Sequence, residues 1–114
     1  MRKGKYYFGE KEVCAYLGFM LAKEIDRAEE ALKREGVDKA KNIVTGLVVP
    51  RLRKLLENLC LSPGNEWRAK WLITKIEEQL PYKEFPEEME EFIKFLEDEA
   101  EEMLLSSAVQ EILL

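Results

Sequence analysis

The residues of this chain whose types and spacing could do chemistry are carboxylates. Asp26, Glu29 and Glu30 share one helical neighbourhood, and Asp98, Glu101 and Glu102 share another. Acids three and four apart are neighbours on a helix surface, and two such clusters on facing helices could hold a divalent cation through oxygen ligands. Other chemistry is closed off. The chain has no histidine, which removes the commonest general base and metal ligand, with every Ser–His and Cys–His nucleophile. Its six glycines are scattered rather than gathered into a phosphate loop. Cys14 and Cys60 form no zinc pattern.

The all-α nucleotide pyrophosphohydrolases that hold Mg²⁺ between acidic helices show two acidic pairs set apart by a longer spacer, and no such arrangement stands out here. A run of Glu on a surface helix reads instead as a solvated face. No catalytic residue, metal or cofactor is therefore expected, and the chain is not expected to be an enzyme. Net charge is −5, but the average hides a division. Residues 1–83 carry 17 Lys+Arg against 12 Asp+Glu, whereas residues 84–102 carry ten Asp+Glu against Lys94 alone. The local field, more than the pI, decides whether an anionic partner is attracted.

The second constellation is aromatic and cationic. "EWRAKW" holds both tryptophans, Trp67 and Trp71, with Arg68 and Lys70 between them and Lys75 one turn further on. On a wheel of ~100° per residue, Trp71 falls ~40° from Trp67, while Ala69, Leu72, Ile73, Ile76 and Leu80 gather between ~140° and ~240°. The indoles thus lie opposite the core stripe. A large aromatic buries ~150–250 Å², worth ~4–6 kcal/mol, so a covering body is expected. It could be the first helix or the "YYF" of Tyr6 to Phe8, a second protein chain, or the bases of a nucleic acid. Trp and Arg are enriched at protein–protein hot spots. Aromatics among cations also stack bases, and Arg51, Arg53 and Lys54 could extend such a surface.

These residues need helices to position them. Cys14, Leu17, Leu21, Ile25, Ala28 and Leu32 recur at steps of three and four, which predicts a helix over 10–35 stopped by Gly36. Its first half, "VCAYLGFMLA", is apolar all round, as for a helix covered on more than one side. Asp38 is the expected cap of a second helix over 39–60, kinked where Pro50 clashes with the carbonyl of Gly46. "SPGN" reads as a turn, with Asn65 capping a third helix over 66–80 and Pro81 closing it. Pro86 opens a fourth in the position a first-turn proline favours, with Glu87 and Glu88 near its positive end. "SAVQ" at 107–110 fits a capping box for a short last helix.

The fold expected is a single all-α domain, a compact bundle of four long helices plus a short C-terminal one. The chain is 46% hydrophobic and 36% charged. That high charge, with few Asn, Gln and Thr, matches the trade made in thermophilic proteins. No apolar run reaches the length of a membrane span. The isolated cysteines read as buried thiols in a reducing cytoplasm, with a bridge possible in a hyperthermophile. The functional expectation is a non-catalytic subunit that associates with itself or another protein, using Trp67, Trp71, Arg68, Lys70 and Lys75. The alternative is backbone binding of nucleic acid through Arg51, Arg53, Lys54, Arg68, Lys70 and Lys75, with Trp71 stacking on bases, of the kind performed by small helical subunits of RNA-guided interference complexes.

Overall fold

The computed structural model describes residues 2–105, with side chains from 12 to 105. The chain is all-α, and no strand occurs among the described residues. Helix α1 spans Arg2–Arg34, α2 Val37–Ile43, α3 Val49–Glu57, α4 Pro63–Gln79 and α5 Pro86–Leu105. Helix α1 is central, packing against α2, α3 and α5, while α4 lies against α3 and α5. The expected last helix, like "YYF" as a cover for the tryptophans, lies outside the described residues or side chains.

The corner between α1 and α2 turns on Gly36. Its φ of 107° and ψ of 177° belong to a region essentially reserved for glycine, and its N–H reaches back to the Ala31 carbonyl at 3.0 Å. The glycine does more than stop the first helix: it is also the residue from which α2 starts. Asp38 therefore sits inside the first turn, and its side chain makes no cap bond.

α2 and α3 form one continuous helical run, joined by a π turn at Val44–Val48. Pro50 has no N–H to donate and its ring crowds the carbonyl of Gly46. A wider turn just before it is one of the standard ways a helix absorbs such a defect. The irregularity expected at the proline thus takes the form of a π turn. α3 ends at Glu57, short of the expected Cys60, because Leu59 adopts a left-handed φ of 55°. The Cys60 N–H then bonds the Leu55 carbonyl at 3.1 Å, a helix stop in which the left-handed position usually goes to glycine.

That turn delivers Cys60 to the core, where it forms a disulfide with Cys14 of α1, Cα–Cα 5.4 Å. The expectation of free thiols is corrected: no free cysteine is present. Closing a loop between residues 46 apart in sequence stabilises the fold by about 4 kcal/mol on chain-entropy grounds.

α4 begins three residues earlier than expected. Ser62 is its flanking residue and Pro63 occupies the first turn, as Pro86 does in α5. Asn65 is inside the first turn, donating through Nδ2 to Ser62 Oγ at 3.1 Å. In α5, Glu88 accepts from the Phe85 N–H at 3.2 Å, half of a capping box. Among the described residues, no helix is long and apolar enough to cross a membrane.

Candidate functional site

The stripe Ala69, Leu72, Ile73, Ile76 and Leu80 is buried, so α4 turns that face to the bundle and its opposite edge outward. Trp67 stacks on Trp71 with centroids 6.2 Å apart and planes 8° from parallel. Trp71 is half-buried because α5 brings Phe95 edge-on against it, centroids 5.7 Å apart at 72°. Phe95 in turn leans on buried Phe92, 6.2 Å away. Among the described residues the cover stops there. Trp67 remains 67% exposed.

A groove of about 360 Å³ runs between the two helices. Trp71, Lys75 and Gln79 of α4 line it with Glu88, Glu91, Phe92 and Phe95 of α5, and Lys83 from the segment between the two helices completes it. The Lys75 ammonium lies 5.6 Å from the centre of the Trp71 ring, and that of Lys83 5.9 Å from Phe92, within the range of a cation–π attraction. Trp67, Trp71 and Lys75 thus share one surface. Arg68 closes the end of the groove, donating to Glu99 and, at 3.2 Å, to Glu102. Lys70 faces away, into a shallow depression with Arg53, Leu56 and Glu77.

The phenylalanines of α5 were not among the expected site residues. Phe92 and Phe95 lie beside the 4-3-4-3 seam of Met89, Ile93, Leu96 and Ala100, and only the paired helix shows that they meet Trp71. Three apart on one helix, they were a detectable aromatic pair.

The cations proposed to extend the surface toward nucleic acid are engaged within the chain. Arg53 bonds Glu77 at 3.0 Å, Lys54 lies 3.6 Å from Glu57, and Arg51 reaches Glu24 at 3.5 Å. Glu24 is the one buried acid among the described residues, 3% exposed, with Arg27 at 3.8 Å as its second cation. A buried carboxylate needs such partners, and Arg51, 25% exposed, is held there with its guanidinium also 5.9 Å from the Tyr16 ring.

Two further regions complete the surface. "VCAYLGFMLA" is covered on one side rather than all round: Cys14, Leu17 and Leu21 are buried, while Val13, Tyr16 and Phe19 face outward. The acidic clusters come together differently from their sequence grouping. Asp26 and Glu29 of α1 meet Glu97 of α5, with one carboxylate oxygen of each within 4.8 Å of the others. Desolvation, then the charges of Glu29 and Asp26, raise the Glu97 carboxyl above its ordinary value. Such a set has the oxygen chemistry of a hard-cation site, but Asp26 and Glu97 are exposed, and exposed acids gather without one. Comparison with protein-family models, with curated proteins and with solved structures returned no match.

Proposed function

We propose that this protein is a non-catalytic helical subunit that works by associating with protein, through the aromatic surface of α4 and α5. The observation that carries this reading is Trp67: a ring two-thirds open to water, stacked on the half-buried Trp71. Trp is among the residues most enriched at protein–protein hot spots. Leaving it bare forgoes several kcal/mol of available burial. A cytoplasmic setting in a thermophile suits the high charge and the disulfide together, because intracellular disulfides are common in hyperthermophiles.

Backbone binding of nucleic acid is the weaker reading. It needs uncommitted cations to displace counterions from phosphate, and of the six that could serve, Arg51, Arg53, Lys54 and Arg68 are each paired to a carboxylate, which leaves only Lys70 and Lys75. The two readings separate in one experiment. The purified protein is titrated with single-stranded DNA at low and moderate salt while tryptophan fluorescence is followed, and its mass is measured by light scattering alone and with whatever co-purifies. Association predicts an assembly larger than one chain, loosened by Trp67→Ala, and a flat DNA titration. A strictly monomeric chain that brings down no protein rejects the proposal. Quenching by DNA that fades steeply with salt puts the nucleic-acid reading in its place.

A further inference from the structure

The α4–α5 groove carries a charge pattern that selects its partner. Contacts across it fix the level of each residue: Trp71 meets Phe95, and Arg68 meets Glu99. Because the two helices run antiparallel, one turn further along α4 brings Lys75 level with Glu91 of α5. Lys75 on α4 and Glu91 on α5 both line the groove, and neither forms an ion pair among the described residues. The surface therefore presents a cation on one side, an anion on the other, and aromatic rings between.

Resting on the association reading above, we infer that the partner is a second copy of this chain, related by a two-fold axis running along the groove. A two-fold interface must be self-complementary, with the same patch on both copies. Rotation about an axis parallel to the helices exchanges left for right, so each Lys75 comes to face the Glu91 of the other copy. Rotation about an axis across the helices would set Lys75 against Lys75 and Glu91 against Glu91, and like charges at an interface are rejected. Of these two orientations the charge pattern favours the first. In that orientation the rings of both copies meet along the axis, and each Trp67 gains cover that the described residues of its own chain do not supply. Arg68, Glu99 and Glu102 lie one turn beyond Trp71 and are already engaged with one another.

Charge exchange tests the geometry. The single variants K75E and E91K each set like charges opposite one another twice, and each should weaken dimerisation roughly ten- to hundredfold. Mixed in equal amounts they should recover it, because Glu at 75 then faces Lys at 91 and Lys75 faces Glu91. The double variant K75E/E91K should dimerise alone. Trp67→Ala should weaken it about thirtyfold or more, as an interface anchor does. Sedimentation equilibrium across micromolar concentrations reads all of these, and the mixing experiment shows that both single variants are folded. A dimer indifferent to Trp67→Ala and to both reversals meets through another face, such as Val13, Tyr16 and Phe19; this overturns the inference and leaves the association reading standing. A monomer that binds a different protein through Trp67 does the same. A monomer with no protein partner overturns both.

Discussion

Where α1 meets α3 and the turn after it, a disulfide joins Cys14 to Cys60 and a buried carboxylate, Glu24, lies against Arg51. Where α4 runs beside α5, the space is taken by rings, and the outermost of them stands two-thirds in water. The first contact is fastened covalently and ionically and offers little to a partner. The second is held by aromatic packing and a surface ion-pair cluster, and it ends in an unfinished edge. On the association reading proposed above, stability and recognition fall to different helix pairs, so substitutions in the two regions should separate cleanly into those that lower the melting temperature and those that change the assembly.

The largest effect should come from the disulfide. Replacing both cysteines by alanine removes a constraint worth about 4 kcal/mol, which corresponds to a fall of ~15–25 °C in Tm for a domain of this size. Thermal melts monitored by circular dichroism check this, and the wild-type protein unfolded and refolded in reductant should melt like the variant. An unchanged Tm would mean that α1 is held by packing alone.

Arg51→Ala should come next, at about 3 kcal/mol, because it strips the nearer cation from a carboxylate 3% exposed and leaves Arg27 as the only one. Substituting Glu24→Leu and Arg51→Met together should recover most of that loss, since a buried pair is worth little more than apolar residues of similar size. Denaturant unfolding of the two singles and the double gives the coupling. Neither change should alter the mass read by light scattering, whereas an Arg51→Ala variant as stable as the wild-type protein would break the assignment of this arginine to structure.

Helix periodicity was enough to read the all-α class, the buried stripe of α4 and the exposure of Trp67, since each follows from local spacing, but Trp71 packs against the core through α5. What escaped depends on contacts between segments far apart in sequence. Cys14 and Cys60 gave no local sign of meeting, because their approach is set by how α1 crosses the end of α3. Phe95 joined the site only through its position opposite Trp71. The ion pairs of Arg53 and Arg68 reach Glu77 and Glu99, so cations that look available in sequence are committed in the fold. Helix ends failed for local reasons: Leu59 takes a left-handed conformation usually marked by glycine, and Pro63, read as a turn residue, opens α4.

Trp67→Ala should cost about 1 kcal/mol or less in the stability of the single chain, since most of the ring is in water and what it loses is one stacked contact. Trp71→Ala, which also abandons Phe95, should cost more, about 2–3 kcal/mol. The ordering is the informative part. If Trp67 destabilised the monomer as much as Trp71, the exposed edge would belong to the fold rather than to a partner, and the division between the two helix pairs would fail.

The smallest effect lies on the other flank of α1 and sharpens the same contrast. Glu24 is matched by cations, but Glu97 faces Glu29 and Asp26, and its carboxyl is raised above its ordinary value by desolvation first and by those two charges next. A raised carboxyl means that the folded chain disfavours the ionised form. The penalty is complete above the raised value, shrinks as pH falls through it, and disappears once the group is protonated in both folded and unfolded chains. Glu97→Gln removes the charge, so it should stabilise the protein at neutral pH by a few tenths of a kcal/mol, within the range usual for surface substitutions. The gain should fade below about pH 4, where carboxyls in the unfolded chain also take up protons. Urea unfolding of the two proteins at pH 7 and pH 3.5 reads the difference. A gain that persisted unchanged in acid would trace to helix propensity rather than to charge.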